Sequence, residues 1–211
     1  MAFRFPVALE VASRRCVVVG GGDEAERRAR ALLDCAADVI VLAATPVPSL
    51  VDLERRGQLN LIRRRYLHGD LAGAFLVVAT EPESNPAVYA EAESRGVLCH
   101  AVDDPAHCHF AMPSVLRRGE LTVAVSTGGR APALAKRLRH RLEEEVPSEY
   151  EALVDLLAEA RTEALATRPL DFATWAHRWQ TALGDLDQLL ALLAEGRRDE
   201  ARRRVLVSLA G

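Results

Sequence analysis

The sequence has little of what marks a membrane, nucleic-acid-binding or secreted protein. Its 27 basic and 30 acidic residues leave a net charge of −3, which gives no basis for general nucleic-acid binding. Lysine occurs once, at Lys136, but a preference for arginine can follow genome composition and carries no functional argument. No apolar run approaches the roughly 20 residues that cross a bilayer, and the first residues lack the pattern of a secretion signal. We therefore expect a soluble protein without a membrane or nucleic-acid partner.

Cysteine is also scarce. Cys16, Cys35, Cys99 and Cys108 form no CxxC pair and no disulfide framework of the kind found in small secreted domains. Cys16 precedes three valines and Cys99 follows Val-Leu, which is typical of strand interiors, where a cysteine behaves as a small hydrophobe. These features predict reduced thiols and a cytoplasmic protein.

Short apolar runs alternate with amphipathic stretches in the first half of the chain. With 211 residues and 49% hydrophobic composition, the chain can bury a substantial core. The run 75–79 is unbroken and apolar, as in strands that are buried on both faces of a parallel sheet. The alternation predicts βαβ units and a Rossmann-like, doubly wound α/β sheet. The predicted strands are 16–19, 39–42, 59–62, 75–79 and 97–102, and the predicted helices are 23–33, 47–56 and 85–95.

The pattern changes after Pro105, and an almost wholly helical tail begins at Ser148, where leucines recur with one-face helical spacing. Between Pro105 and Ser148 we predict, in order, an irregular or partly helical segment 110–118, a strand 121–126, a Gly128-Gly129 turn and a helix 132–145. The predicted domains are an α/β domain at 1–112, a small mixed region at 113–147 and a helical domain at 148–211.

A glycine-rich turn follows the first predicted strand and opens the first predicted helix. Gly20, Gly22 and Ala25 occupy the fixed positions of the G-x-G-x-x-G/A fingerprint. The first glycine permits the tight turn, the second lets backbone N–H groups approach a pyrophosphate, and the third small residue packs the helix against the strand. The helix N-terminus then favours the negative charge. The motif predicts a dinucleotide site; the alternative is a glycine turn with a purely structural role.

One residue expected of such a site is absent. An acid about 20 residues after the turn normally binds the adenosine ribose, whereas this chain has Ala43-Ala44-Thr45-Pro46 at the end of the second predicted strand. No arginine stands there to accept a 2′-phosphate either. Thr45 or nearby backbone would have to hold the ribose, and the rule by itself does not choose between NAD and NADP.

Asp103 and Asp104 follow the fifth predicted strand and precede Pro105. The carboxyl ends of strands in a doubly wound sheet open onto the nucleotide crevice, so a carboxylate there can act as an acid, a base or a metal contact. Asp before Pro is also a common opening of a turn, and both interpretations stay open on the residues alone. The nearby His107-Cys108-His109 lacks the spacing that puts ligands on one helical face, and we expect no stable metal site.

The glycine turn, the Asp103 segment and the region around Gly128 together resemble the precorrin-2 dehydrogenase family. This family includes stand-alone bacterial enzymes, a bifunctional fungal dehydrogenase–ferrochelatase and the N-terminal module of bacterial sirohaem synthase. The resemblance runs from Phe3 to about Pro147 and is much weaker in the helical tail. The matching motifs are Val19-Gly20-Gly21-Gly22-Asp23, Ala25-Glu26-Arg27-Arg28-Ala29, Ala79-Thr80-Glu81, Val102-Asp103, Phe110-x-Met112-Pro113-Ser114 and Ser126-Thr127-Gly128-Gly129-x-x-Pro132.

The resemblance implies an enzyme that oxidises precorrin-2 to sirohydrochlorin with NAD as the hydride acceptor, in sirohaem or cobalamin biosynthesis. Asp103 matches the family's important aspartate and is the implied catalytic residue. His100 stands where the family has asparagine, and Thr127 stands where sirohaem synthase has a serine that can be phosphorylated. The implied cofactor-binding residues are Gly20, Gly21, Gly22, Asp23, Glu24, Ala44, Thr45 and Thr80. The implied substrate-binding residues are His100, Ser114, Ser126, Thr127, Gly128, Gly129 and Arg130.

The resemblance also implies a homodimer, built by the region that follows the nucleotide-binding domain. The substrate carries many carboxylates, which suit the planar guanidinium of arginine. Arg117, Arg118 and Arg130 are therefore candidates to bind it, although each is also typical of a solvated surface.

Two other functions are compatible with the sequence. One is a bifunctional enzyme, dehydrogenase and sirohydrochlorin ferrochelatase, which takes ferrous iron as a further substrate. The other is a regulatory domain in which bound NAD switches a partner. The regulatory interpretation leaves the Asp103 motif and the 126–132 motif unexplained.

Overall fold

Five short, valine-rich strands form a fully parallel sheet in the N-terminal part of the chain. The structure is a computed structural model that describes residues 5–167 and 171–210. It has two compact units, which meet in sequence between Met112 and Pro113. The strands of the first unit are β1 (Arg15–Val19), β2 (Asp38–Leu42), β3 (Asn60–Ile62), β4 (Leu76–Ala79) and β5 (Leu98–Ala101), in the order β3-β2-β1-β4-β5.

Helices cover both faces of this sheet, which confirms the predicted doubly wound fold. They are α1 (Asp23–Leu33), α2 (Pro48–Arg55) and α3 (Asn85–Arg95), and these helices and the five strands begin and end within one residue of their predictions. A short 3₁₀ helix at Pro105–His107 was not predicted. On one face Val18 packs with Ala25 of α1 and Leu50 of α2. On the other face Val17 packs with Val88 of α3. Valine suits these strands because its β-branched side chain packs well on a pleated surface.

The order of the strands reverses at β1. The chain builds β2 and β3 on one side of β1 and then crosses over to build β4 and β5 on the other side. Because all five strands are parallel, the residues that follow their carboxyl ends share one edge of the sheet, where ligands of such folds bind. Gly20 after β1, Thr80 after β4 and Asp103 after β5 therefore lie along the same edge.

Hydrogen bonds from Cys108 and His109 satisfy backbone groups on the outer edge of β5. The N–H of Cys99 donates to Nδ1 of His109 over 2.9 Å, and the N–H of His109 donates to the carbonyl of Cys99 over 2.8 Å. The thiol of Cys108 donates to the carbonyl of Ala101 over 3.1 Å. Unpaired backbone groups at a sheet edge are a liability, and these bonds satisfy them. They also tie the segment after Asp103 back to the sheet, which determines where the turn carrying Asp103 lies.

A fully buried carboxylate in this unit has a structural role. The side chain of Glu91 accepts hydrogen bonds from the N–H of Gly69 over 2.9 Å, from Nε of Arg95 over 2.6 Å and from the hydroxyl of Tyr66. Burial pushes the pKa of Glu91 upward, but these hydrogen bonds offset it and lower the pKa overall. Glu91 thus joins the loop before β4 to α3, as a buried charge requires partners, and its acceptor atoms are already engaged.

The second unit begins with a β-hairpin that the sequence did not predict. β6 (Ser114–Arg118) pairs antiparallel with β7 (Leu121–Val125), so the prediction of an irregular or partly helical segment at 110–118 was wrong from Ser114 onward. Gly119, with φ +54°, supplies a left-handed residue in the two-residue turn. Of the five β6 residues, Leu116 alone is buried. The strand therefore shows little hydrophobic alternation, and pairing with β7 decides its conformation.

Five helices complete the second unit, as the helical tail predicted. They are α4 (Pro132–Glu145), α5 (Glu149–Thr167), α6 (Phe172–Ala182), α7 (Leu186–Ala194) and α8 (Arg198–Ala210). α4 packs against the hairpin, and Leu156, Leu189 and Val205 belong to a core formed by the last four helices. The rings of Trp175 and Trp179 meet edge to face with their centroids 5.7 Å apart. No helix within the described residues is long and apolar enough to cross a membrane.

Candidate nucleotide-binding and active site

Gly20 lies where only glycine fits. Its φ of +130° belongs to a region that L side chains rarely adopt, and a Cβ added there would lie 2.0 Å from Oγ1 of Thr80. The hydroxyl of Thr80 in turn donates to the carbonyl of Val19 over 3.0 Å. The glycine turn after β1 and the end of β4 are therefore packed directly against each other. Thr80, a predicted cofactor-binding residue, is part of the wall of the turn.

Gly21 packs against the loop that follows β2. A Cβ on Gly21 would lie 2.5 Å from the carbonyl oxygen of Thr45. The carbonyl of Gly21 accepts a hydrogen bond from the N–H of Val47 over 2.8 Å. Ala44 and Thr45, which the sequence also assigns to the cofactor, are exposed beside the glycine turn. The structure thus brings together the loops after β1, β2 and β4.

Gly22 differs from its two neighbours because the space next to it is open. A Cβ added at Gly22 would meet no atom within 4 Å, and its φ of −86° is an ordinary one for any residue. Gly22 is the N-cap of α1, and no side chain caps the helix there. The first helical hydrogen bond runs from the N–H of Glu26 to the carbonyl of Gly22 over 3.1 Å. The preceding N–H groups are therefore available to an anion, which fits the pyrophosphate of a dinucleotide.

The first turn of α1 is acidic. Asp23 is exposed, whereas Glu24 forms ion pairs with Arg27 and, over 2.6 Å, with Arg28. A carboxylate accepts hydrogen bonds only, so Asp23 and Glu24 suit the hydroxyl groups of a ribose and not a phosphate.

Asp103 has an uncommon backbone conformation. Its φ is +57°, in the left-handed region that aspartate tolerates better than most residues, and it is exposed at the edge of the sheet. Strained residues of this kind concentrate at functional sites, where the surrounding structure holds them. Here the bonds of Cys108 and His109 to β5 provide that support.

Asp104, the neighbouring acid, is engaged in the protein instead. Its carboxylate lies 2.6 Å from Nδ1 of His107 and accepts a hydrogen bond from the side-chain amide of Asn85 over 3.3 Å. The hydrogen bond from His107 is the main reason that the pKa of Asp104 lies below its usual value. The two adjacent aspartates, which their chemistry alone could not tell apart, therefore have different surroundings.

His100 lies on the face of the sheet that α1 covers, close to Asp103. Its Nδ1 is 3.1 Å from the carbonyl oxygen of Phe110, and the two rings are 5.5 Å apart. Burial has the largest effect on its pKa and lowers it. The bond to Phe110 raises the pKa and the charge of Arg28 lowers it, and the net result is below the usual value.

Arg28 is a site residue that sequence reasoning did not single out. Its Nε is buried and has no hydrogen-bond partner within the described residues. One of its terminal nitrogens pairs with Glu24, and the other lies 3.4 Å from the sulfur of Met112. The spacing of Glu24 and Arg28, four residues apart on a predicted helix, was the available signal.

The other predicted substrate residues lie in the second unit. Gly128 and Gly129, with φ of +61° and +79°, form the turn before α4. The hydroxyl of Ser126 accepts from the N–H of Gly128 over 3.2 Å, and that of Thr127 accepts from the N–H of Ala131 over 3.0 Å. The other two predicted residues of this unit lie at the same end of the hairpin, since Ser114 pairs with Val125 and Arg130 is exposed in the turn.

A candidate substrate-binding arginine and the candidate metal ligands are engaged in contacts within the fold. Nε of Arg118 donates to the carbonyl of Val146 over 2.9 Å, so this arginine binds the end of α4. His107, Cys108 and His109 are engaged with Asp104, Ala101 and Cys99, respectively. Within residues 5–167 and 171–210, no three His, Cys, Asp or Glu side chains converge in a way that could hold a metal ion.

Known proteins match this arrangement along most of the chain. A family model described as putative NAD(P)-binding matches residues 7–114, and one described as sirohaem biosynthesis protein central matches residues 118–145. The siroheme synthase of Chromobacterium violaceum is 39% identical over 181 residues, which are 85% of this chain and 38% of that protein. The siroheme synthase of Edwardsiella ictaluri is 34% identical over 203 residues, 95% of this chain and 44% of that protein. The chain thus spans less than half the length of these relatives.

A solved structure matches almost the whole of this chain over almost the whole of its own length. The structure of SirC, precorrin-2 dehydrogenase, has a TM-score of 0.75 and 25% sequence identity, and the match covers 98% of this chain and 99% of that one. The matched regions include the glycine turn, the Asp103 segment and the hairpin with α4. The chain belongs to the putative NAD(P)-binding family whose model matches residues 7–114, and over most of its length it is similar to siroheme synthases and to a precorrin-2 dehydrogenase.

Proposed function

We propose that this protein is an NAD-dependent precorrin-2 dehydrogenase, which oxidises precorrin-2 to sirohydrochlorin in sirohaem or cobalamin biosynthesis. The observation that carries the proposal is the likeness to a precorrin-2 dehydrogenase over 98% of this chain and 99% of the other. It includes the second unit as well as the nucleotide-binding unit. A regulatory NAD-sensing domain would not need an exposed, left-handed Asp103 at the same edge as the glycine turn.

The cofactor supplies the hydride acceptor, and the residues of this chain hold it and the substrate. The open N-terminus of α1 at Gly22 binds the pyrophosphate. The loop of Ala44 and Thr45 receives the adenosine ribose. Asp103 accepts hydrogen bonds from pyrrole N–H groups and so orients the macrocycle toward the nicotinamide. The protein thus contributes orientation and electrostatics, as in other cofactor enzymes.

NAD is favoured over NADP by the charges around the ribose. Ala44 and Thr45 are uncharged. Three arginines follow β3: Arg63 binds Glu54 and Arg64 binds Asp70, each through two hydrogen bonds, whereas Arg65 is exposed. A 2′-phosphate would therefore find no unengaged guanidinium in Arg63 or Arg64.

The second unit, taken by itself, has groups that can bind carboxylates. Arg130 is exposed and can bind a carboxylate through two parallel hydrogen bonds. The turn from Ser126 to Gly129 precedes α4, whose N-cap residue Ala131 has no capping side chain. The N–H groups of Gly128, Arg130 and Ala131 are bonded within the turn, so the N–H of Gly129 is the one that can receive a second carboxylate.

Precorrin-2 oxidation, followed by absorbance, tests the proposal. We expect sirohydrochlorin to form with NAD, and at a clearly lower rate with the same concentration of NADP. Tight NAD binding without any turnover of precorrin-2 would instead support the regulatory domain.

The bifunctional enzyme is the second candidate, because the curated relatives of this chain are siroheme synthases. Purified protein is mixed with sirohydrochlorin and ferrous iron in the absence of NAD. The appearance of a sirohaem spectrum above the uncatalysed rate would add ferrochelatase activity, with iron as a substrate. An unchanged rate would restrict the protein to dehydrogenation.

We further infer a homodimer built by the hairpin and α4. A two-stranded sheet is marginally stable alone, and apolar side chains remain exposed on these elements: Val115 is 36% exposed, Leu134 52% and Leu138 38%. Sedimentation should give twice the 23.0 kDa of one chain. The double variant Leu134→Glu, Leu138→Glu should sediment as a monomer, and a monomeric unsubstituted protein would contradict the inference.

A cytoplasmic location completes the proposal. Its support is that Cys16, Cys99 and Cys108 are buried as thiols in the core, as expected of a protein from a reducing compartment.

A further inference from the structure

Oxidation of the macrocycle releases a proton as well as a hydride, and Asp103 is not the only group at this edge that can receive it. We propose that His100 accepts that proton on Nε2. This role rests on the proposed function, since it requires a tetrapyrrole substrate.

The structure determines which nitrogen of His100 is the acceptor. Nδ1 lies 3.1 Å from the carbonyl oxygen of Phe110, and a carbonyl can only accept. In the neutral ring Nδ1 therefore carries the hydrogen, and Nε2 carries the lone pair. The Phe110 ring, 5.5 Å away, limits the rotation of the imidazole.

Nε2 of His100 is not completely buried. It makes no hydrogen bond to any residue in the described part of the chain, and it is not among the buried polar atoms that lack a partner. A ligand at the edge of the sheet can therefore reach it. Its lone pair has no competing proton donor from the protein.

Burial and the charges around His100 favour the neutral imidazole, which is the form that can accept a proton. Burial and the charge of Arg28 on α1 lower its pKa, so the ring is neutral at pH 7. Glu24 on α1 and Asp103 after β5 act in the opposite sense and stabilise the imidazolium once it forms. Cys108, whose sulfur is 3.6 Å from Nδ1, is the other titratable group in contact with the ring; burial is the main cause of its raised pKa, and the thiol is uncharged.

The atoms and electrons of the step balance. One C–H bond of precorrin-2 breaks, and its hydrogen leaves with both bonding electrons as a hydride, which bound NAD⁺ would accept. A second hydrogen leaves as a proton, and the electrons of its bond remain in the ring as the new double bond. Nε2 of His100 accepts this proton through its lone pair. The imidazolium then releases it to solvent. Asp103 orients the pyrrole N–H groups, and His100 carries the proton.

The state of the ring can be measured without substrate or cofactor. In ¹⁵N-labelled protein, NMR should find His100 at pH 7 as the neutral tautomer with hydrogen on Nδ1. Its protonation on acidification should occur at lower pH than that of histidine in a short unstructured peptide, which serves as the reference. A charged ring at pH 7, or a hydrogen on Nε2, would overturn the proposal.

The variant His100→Asn tests the step itself, with His177→Asn as the matched control. We expect kcat to fall by about 100-fold, the contribution of a positioned base, while NAD affinity is retained. The unsubstituted enzyme should lose activity as the pH falls through the pKa of His100, and His100→Asn should lack this acid limb. An unchanged rate, or an acid limb that persists, would overturn the role of His100.

Arg28→Met keeps the proposal testable if His100→Asn does not fold. Loss of the guanidinium favours the charged ring, so the acid limb should move to higher pH. An unmoved limb counts against His100. Failure of the unsubstituted protein to oxidise precorrin-2 is a separate result, which overturns the proposed function itself.

Discussion

Replacement of Asp103 by alanine should lower the rate of precorrin-2 oxidation by about 100-fold or more while the protein stays folded. The side chain is exposed, and no hydrogen bond of the described fold depends on its carboxylate. A carboxylate that orients the reacting N–H groups, however, acts on every turnover, and positioned polar groups of this kind contribute factors of about 10² to 10⁴. The measurement is kcat with precorrin-2 and saturating NAD.

The left-handed backbone of Asp103 allows a cleaner version of this experiment. Asp103→Gly removes the carboxylate and suits φ +57°, where a side chain costs about 1 kcal/mol. This variant should be as inactive as the alanine variant and should melt no lower than the unsubstituted protein. Asp155→Ala, at an exposed position in the middle of α5, is the matched control and should leave both values unchanged. Near-normal turnover in both Asp103 variants would remove the assignment.

Gly22→Ala should weaken NAD binding by about 10- to 100-fold and leave the fold intact. In the protein alone the added methyl group meets nothing within 4 Å, and φ −86° suits alanine. With a dinucleotide bound, the methyl group enters the space of the pyrophosphate, and overpacking of this kind costs about 1–3 kcal/mol, at 1.4 kcal/mol per tenfold in affinity. Calorimetric titration with NAD measures the loss.

Gly20→Ala provides the contrast, because the same change two residues earlier should damage the fold. Its Cβ would lie 2.0 Å from Oγ1 of Thr80 at φ +130°, and strained backbone and overpacking each cost about 1–3 kcal/mol. We expect a lower melting temperature for Gly20→Ala and an unchanged one for Gly22→Ala. Unaltered NAD affinity in Gly22→Ala would show that the pyrophosphate lies elsewhere.

Local signals in the sequence were sufficient for the sheet and for the glycine turn. Runs such as 16–19 and 75–79 are apolar throughout, and a strand of that kind is stable only when both of its faces are covered. The hairpin strand β6 was missed for the opposite reason. It buries Leu116 alone, and its hydrogen bonds come from β7.

The site was harder to derive than the fold, because its groups are brought together from distant parts of the chain. Asp103 and Asp104 are adjacent and chemically identical, so beyond the family resemblance it takes the contacts of Asp104 with His107 and Asn85 and the left-handed backbone of Asp103 to distinguish them. The packing of Thr80 against Gly20 joins residues 60 positions apart. Nothing in a local pattern reports such a contact.

The sequence by itself determined the parallel sheet, the position of the glycine turn and the edge at which Asp103 lies, since periodicity and turn chemistry are local properties. Only the tertiary structure decided that Gly22 faces open space while Gly20 and Gly21 do not, that Nδ1 of His100 faces Phe110, and that Nε of Arg28 is buried. These depend on burial and on contacts between segments far apart in the chain. They follow from how the elements pack and not from which elements form.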